Sequence, residues 1–374
     1  MQELNKNIKV IISGGGTGGH VYPAIAIANA LKKINPEISI LFVGAIGKME
    51  MQKVPVAGYS IEGLWISGFQ RKLTMRNFGV PFKIIASMIK SWRILSKFKP
   101  NVVVGVGGYA SGPMLKLSAL KSIPTLIQEQ NSFPGITNRM LSKKANKICV
   151  AYPGMEKFFQ KEKIILTGNP VRQDIAELQN KKVEALKYFN LSSEKKVLLI
   201  LGGSLGAKRI NETVRHSLNV FAENNIQVIW QTGKIYFDQL KIEAESMYDK
   251  GIRVFDFIEK MDFAYAAADL VISRAGAISI SEICAAAKPV ILIPSPNVSE
   301  DHQTKNAMML EQNNAAVLVK DNEVPEKLDT TVLSLITDEV KMKTLSENIK
   351  KLAIMDSAVR IAKEIIQLAE KNKN

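Results

Sequence analysis

Short runs of aliphatic and β-branched residues alternate with stretches of helical periodicity along nearly the whole chain. In the first half the apolar runs fall at 9–13, 39–43, 102–106, 125–128, 147–150 and 164–167. In the second they fall at 197–201, 227–230, 253–255, 270–273, 290–293 and 316–319. Continuous apolar runs predict strands buried on both faces, and intervening helices predict parallel sheets covered on each side. Two such sets predict an α/β protein built of two doubly wound, Rossmann-like domains facing a cleft. The turn-forming Gly168-Asn169-Pro170-Val171 closes the first set, so the expected domains are 1–171 and 172–356. Val359, Ala362, Ile366 and Ala369 fall near one face of a last amphipathic helix over 357–371, and residues 357–374 are expected to pack back on the first domain. A chain of 374 residues also exceeds the ~250–300 residues at which single cores stop growing.

The most informative local feature follows the first strand, where Gly14-Gly15-Gly16-Thr17-Gly18-Gly19-His20 precedes a helical pattern carrying Pro23, Ile27, Leu31 and Ile34. Glycines without side-chain walls let backbone amides and a helix start close on a bulky anion, a diphosphate above all. Weaker copies stand at Gly107-Gly108-Tyr109-Ala110-Ser111-Gly112 and Gly202-Gly203-Ser204-Leu205-Gly206, again after strands. Ligands of open parallel sheets bind beyond the carboxyl ends of the strands, where all three turns lie. A phosphorylated small molecule is therefore the leading ligand.

Charge changes the picture in one segment. The net charge is +15, and no acidic residue occurs between Glu62 and Glu129. That interval holds Arg71, Lys72, Arg76, Lys83, Lys90, Arg93, Lys97, Lys99, Lys116 and Lys121, interleaved with Phe69, Phe78, Val80, Phe82, Ile84, Ile85, Met88, Trp92 and Leu95. So many aliphatics, with no nucleic-acid motif, argue against nucleic acid as the partner. A basic, apolar stretch around 69–99 fits an anionic membrane surface. The alternative is a core stripe of Ile84, Ile85, Met88, Trp92 and Leu95 beneath a solvated basic face. Cys149 and Cys284 lie in apolar contexts and are expected to be buried thiols of a reducing compartment. His20, His216 and His302 are scattered, so no metal site is expected. No apolar stretch approaches the ~18 residues of a bilayer span. The polar start runs straight into a strand, so no signal peptide is expected.

Gly14-x-Gly16-x-x-Gly19 satisfies the dinucleotide fingerprint, which also requires an acid at the end of the second strand. That strand ends Phe42-Val43-Gly44-Ala45-Ile46, with no carboxylate until Glu50, so an oxidoreductase is the weaker reading. Ser273-Arg274-Ala275-Gly276-Ala277-Ile278-Ser279-Ile280-Ser281-Glu282 reads instead as strand, turn and helix, with Glu282 placed to accept both hydroxyls of a ribose. A nucleotide held largely by the second domain follows.

Taken in order, Gly15 to His20, Gly107 to Pro113, Glu129-Gln130-Asn131, Gly168 to Arg172, Gly202 to Ala207 and Ser273 to Gly276 resemble the bacterial lipid II-forming N-acetylglucosaminyltransferases across essentially the whole chain. The resemblance implies a glycosyltransferase-B fold and inverting transfer of GlcNAc from UDP-GlcNAc to undecaprenyl-diphospho-muramoyl-pentapeptide (lipid I), giving the β-1,4-linked lipid II precursor of peptidoglycan. It implies Thr17, Gly18 and Gly19 by the donor sugar and diphosphate, Asn131 on the GlcNAc, and Arg172 and Ser204 on the donor. It implies the Ile258 backbone on uracil, the run Ala277, Ile278, Ser279, Ile280, Ser281 and Glu282 around α-phosphate and ribose, and Gln303 on the sugar hydroxyls. The basic segment would dock on the cytoplasmic leaflet, making the enzyme peripheral there. Gln128 replaces the family's usual His, and Ile278 a usual Thr, Ser or Leu, so only a backbone contact survives at the latter.

Displacement at the anomeric carbon needs one base. His20, whose residue type titrates near neutrality, is the first candidate and Glu129 the second. With no Asp-x-Asp in the chain, transfer without metal or other cofactor is expected, the leaving diphosphate being met by helix starts and backbone amides. A transferase using another nucleotide sugar is the closest rival.

Overall fold

The computed structural model describes residues 8–67, 80–172, 175, 178, 180–203, 205–298 and 301–371. The chain divides into two compact units, Met1–Val171 with Ile354–Asn374, and Arg172–Ala353.

Unit 1 is built on strands β1 (Lys9–Ser13), β2 (Ser39–Ala45), β3 (Ser60–Leu64), β4 (Val102–Gly105), β5 (Thr125–Glu129), β6 (Lys147–Val150) and β7 (Ile164–Leu166). They form one parallel sheet in the order β3-β2-β1-β4-β5-β6-β7. Its helices are α1 (Gly18–Ile34), α2 (Glu50–Val56), α3 (Val80–Phe98), α4 (Ser111–Leu120) and α5 (Ile136–Ser142). Apolar side chains from the two faces of the sheet feed two separate cores, one with Val10, Ile12, Val102 and Val104, the other with Ile11, Val103 and Ile127. That is the physical meaning of their unbroken apolar runs.

Unit 2 repeats the scheme with β8 (Lys196–Leu201), β9 (Ile226–Gln231), β10 (Ile252–Phe255), β11 (Leu270–Ser273), β12 (Val290–Leu292) and β13 (Val317–Leu318), parallel in the order β10-β9-β8-β11-β12-β13. Helices α6 (Lys182–Tyr188), α7 (Lys208–Glu223), α8 (Phe237–Glu243), α9 (Met261–Ala267), α10 (Ala277–Ala286), α11 (His302–Gln312), α12 (Val324–Thr337) and α13 (Glu339–Lys351) complete it. The last helix, α14 (Ser357–Lys371), belongs to unit 1, where it packs on α1 and buries Ile361, Ala362, Ile365, Leu368 and Ala369.

One strand escapes the hydrophobic pattern. β3 reads Ser-Ile-Glu-Gly-Leu with only its last two residues buried, because an edge strand has a neighbour on one side alone. In both sheets the strand order reverses at one point, between β1 and β4 and between β8 and β11. Such switch points open a crevice beyond the strand ends, and the glycine turns follow the strands that flank them.

Candidate active site

In unit 1 the turn after β1 is tied to the turn after β4 and to the end of β2. The Gly15 amide donates to the Gly107 carbonyl at 3.2 Å, and the Gly14 amide to the Val43 carbonyl at 3.1 Å. The Gly16 amide donates to Glu50 Oε2 at 2.8 Å, while Glu50 Oε1 accepts from the Ala45 amide at 2.9 Å. This corrects the expectation that the whole glycine run offers its amides to a diphosphate: the first three are engaged inside the fold. What faces outward is the start of α1, where Thr17 makes no side-chain cap and no acidic residue stands in the first turn. Thr17, Gly18 and Gly19 supply the amides that no preceding turn can satisfy. Glu50, passed over in sequence because it comes too late for a ribose acid, is the buried carboxylate that shapes this loop.

His20 is half-buried, with Nδ1 3.2 Å from Thr17 Oγ1. Its ring lies against Gly107, whose φ is +92°; a Cβ there would stand 2.7 Å from Nε2, so only glycine leaves the imidazole room. Glu129 is 1% exposed and accepts from the Asn131 amide at 3.0 Å, Asn131 Nδ2 at 3.3 Å, the Gly135 amide at 3.2 Å and Asn138 Nδ2 at 2.8 Å. Burial raises its pKa, and these bonds partly oppose the rise. Gln128, at the position of the family's usual His, is buried and turned inward: Nε2 donates to Asn169 Oδ1 at 3.1 Å and Oε1 accepts from Gln130.

In unit 2 the turns after β8 and β9 pack against each other, and the turn after β11 follows the other strand of the switch point. A Cβ on Gly206, φ +80°, would run into the Thr232 carbonyl and Tyr236, so the turn after β8 lies flat on the turn after β9. Ser204 lies outside the described residues. Helix α10 starts at Gly276 with no side-chain cap and no acid in its first turn. The amides of Ala277, Ile278 and Ser279 therefore head the helix, whereas the Ile280 amide already bonds to the Gly276 carbonyl at 2.9 Å. The Ile280 side chain is in the core, at 1% exposure, so it contributes packing beneath the helix start. The Ser281 hydroxyl donates back to the Ala277 carbonyl at 2.9 Å.

Glu282, one turn on, is buried. Oε1 is 3.6 Å from Arg172 Nε and Oε2 accepts from the Tyr265 hydroxyl at 3.4 Å. Three segments distant in sequence thus meet at one carboxylate. The Ile258 amide, expected on uracil, donates to Gln231 Oε1 at 3.1 Å, leaving its carbonyl as the backbone group for a base edge. Gln303 Oε1 accepts from the Ser295 amide at 2.9 Å, which leaves its amide nitrogen as donor. Tyr265 and Gln231 went unnoticed in the sequence, since each sits in an otherwise apolar run. Among the described residues no cluster of His, Cys, Asp and Glu is arranged to hold a metal ion.

Helix α3 carries a second feature. Its buried stripe is Ser87, Ser91, Ile94 and Leu95, the Ser87 hydroxyl donating to the Trp65 carbonyl at 2.9 Å, and the helix packs on α4. Phe82 (70% exposed), Ile85, Ile89 and Trp92 line the opposite face in solvent, and Ile84 is exposed as well. Of the expected core stripe, Leu95 is buried and Met88 half-buried. Lys121 stands over the Trp92 ring at 4.9 Å and Lys83 over the exposed Trp65 at 5.6 Å. Phe69, Arg71, Lys72, Arg76 and Phe78 lie outside the described residues. No described helix is long and apolar enough to cross a membrane.

Two parallel doubly wound domains, each with glycine turns and an uncapped helix start at its switch point, make up a fold of the glycosyltransferase-B type. The chain belongs to glycosyltransferase family 28: the family's N-terminal domain matches residues 10–150 and its C-terminal domain residues 197–364. It is 53% identical over 366 residues, 98% of this chain and 99% of the relative, to a Flavobacterium psychrophilum protein named UDP-N-acetylglucosamine–N-acetylmuramyl-(pentapeptide) pyrophosphoryl-undecaprenol N-acetylglucosamine transferase. A Bacteroides thetaiotaomicron protein of the same name is 55% identical over 369 residues, 98% of this chain and 99% of the relative. The crystal structure of Acinetobacter baumannii MurG superposes with a TM-score of 0.76 at 26% identity, covering 96% of this chain and 99% of that one.

Proposed function

We propose that this protein transfers N-acetylglucosamine from UDP-GlcNAc to lipid I with inversion, forming the β-1,4-linked lipid II precursor of peptidoglycan. The observation that carries the reading is full-length likeness, above half identity, to proteins named for that transfer. Donor assignments follow the geometry of unit 2. Glu282 accepts the ribose diol beside Arg172, the amides of Ala277, Ile278 and Ser279 face the α-phosphate, the Ile258 carbonyl takes the uracil edge, and Gln303 donates to a sugar hydroxyl. Ser204 keeps its sequence-based assignment to the phosphates. In unit 1, Thr17, Gly18 and Gly19 meet a diphosphate or sugar, and Asn131 Oδ1 accepts from the GlcNAc.

The step is a single in-line displacement. The acceptor oxygen bonds to the anomeric carbon, the bond from that carbon to the diphosphate breaks, and its electron pair leaves on UDP. His20 takes the acceptor hydroxyl's proton. Charge growing on the diphosphate is stabilised by helix-start amides already in place, which need no reorganisation as the bond breaks.

The exposed stripe of α3, with Trp65 and its flanking lysines, supports peripheral docking on the anionic cytoplasmic leaflet, where aliphatics enter the headgroup boundary and lysines meet lipid phosphates. Incubation with UDP-GlcNAc and a lipid I analogue should release UDP and yield a disaccharide product, at a rate unchanged by EDTA. UDP release without the disaccharide would sink the acceptor assignment, and an EDTA-abolished rate restored by Mg²⁺ would sink the metal-free mechanism.

A further inference from the structure

Tyr265 enters none of the assignments above, yet it is wholly buried and its hydroxyl is spent on Glu282. Helix α9, which carries it, begins three residues after Ile258, so one short rigid element joins the loop assigned to the base and the carboxylate assigned to the sugar. A glutamate's terminal torsion is broad and roughly two-fold, so an isolated carboxylate spreads over many orientations. A diol needs two oxygen lone pairs held at fixed spacing and direction. Here Oε2 is fixed by a hydroxyl from α9 and Oε1 faced by the Arg172 guanidinium, so each oxygen of the carboxylate has a defined direction. Burial, and then the neighbouring Glu282 charge, push the Tyr265 phenol well above its ordinary range, so the hydroxyl keeps its proton and remains a donor.

We infer that Tyr265 is a positioning residue that aims Glu282 at the nucleotide's ribose, making donor affinity depend on an intact 2′,3′-diol. The inference rests on the reading of Glu282 as the diol acceptor, and the following experiment separates the two. UDP, 2′-deoxy-UDP and 3′-deoxy-UDP are titrated calorimetrically into the full-length wild type, Tyr265→Phe and Glu282→Gln. Wild type should bind UDP at least about tenfold more tightly than either deoxy analogue, the value of one hydrogen bond to a charged group. Tyr265→Phe removes a single oxygen from a packed ring, and its thermal midpoint reports whether the fold is kept. In that variant UDP affinity should fall about five- to tenfold while the deoxy analogues hold theirs, so that the discrimination collapses.

An equal loss for all three ligands would mark Tyr265 as merely structural and overturn the inference. So would undiminished discrimination in Tyr265→Phe while Glu282→Gln loses it, which leaves the Glu282 assignment standing. Equal binding of UDP and its deoxy analogues by wild type overturns the Glu282 reading, and the role of Tyr265 with it.

Discussion

Glu129 ends β5 with each carboxylate oxygen accepting two hydrogen bonds from the 131–138 segment, whereas the His20 imidazole is half-buried at the mouth of the glycine turn. A base must reach substrate, and the engagement of both Glu129 oxygens within its own loop supports our assignment of His20 as base and Glu129 as the anchor of that loop. His20→Ala should lower kcat by about 10²–10⁴-fold, with UDP affinity by calorimetry unchanged. Glu129→Gln puts an NH2 where a carboxylate oxygen faces donors, costing about 1–3 kcal/mol of stability in denaturant unfolding. Its residual activity should keep the wild-type pH profile, and a profile that loses a limb would return Glu129 to the role of base. Burial pushes the Cys149 and Cys284 thiols up to about 12, so neither offers thiolate to reagents in the native state. Ellman's reagent should titrate them only after unfolding. Both candidate bases were legible from residue type and position. Glu50 and Tyr265 were not, because their roles depend on groups brought to them from β2, the glycine turn and α10.

Elements show where periodicity informs and where it misleads. The apolar content of α3 was plain, but the face it presents was not: the helix packs through Ser87 and Ser91 and leaves Phe82, Ile85, Ile89 and Trp92 exposed. Small polar residues can be buried where a hydroxyl finds a backbone partner, as Ser87 does on the Trp65 carbonyl, which a hydrophobicity count does not register. Replacing Ile85, Ile89 and Trp92 together by Ser should weaken co-sedimentation with anionic vesicles while leaving UDP affinity intact. Each change should shift stability by no more than about 0.5 kcal/mol, as for exposed sites. Just beyond α10, Lys288 donates to the Ala268 carbonyl at 2.7 Å, and burial lowers its pKa to about 8, against the pull of Asp269 and with the push of Lys182. Between about 8 and the ordinary 10.5 the unfolded chain holds a proton that the native chain has lost, so this group makes stability rise with pH across that window. Urea midpoints from pH 8 to 10.5 should rise less steeply in Lys288→Met than in wild type.

At the scale of the whole molecule, the alternation of apolar runs and helices carried the two parallel sheets, and the glycine turns carried the places where each opens. β3 was missed because an edge strand needs no continuous apolar run. The destination of α14 is a tertiary matter: its apolar face needs a partner, and α1 is the one it meets, with Lys147 paired to Glu364 at the margin. Truncation after residue 353 would remove the buried Ile361, Ile365 and Leu368 and expose the core beneath them, at about 1.5–3 kcal/mol per large side chain. The truncated chain should therefore lose much of the thermal stability of unit 1 in calorimetry while unit 2 still binds UDP; unchanged unfolding of unit 1 would contradict this packing. The sequence by itself determined the parallel strands, the glycine turns beyond them and the residue types available for binding and proton transfer, because these follow from local periodicity and side-chain chemistry. Tertiary structure alone decided which amides of the glycine run are already spent, which face of α3 meets solvent, and which hydroxyl holds Glu282. Each of these is a pairing between segments far apart in the chain, and no local pattern encodes its partner.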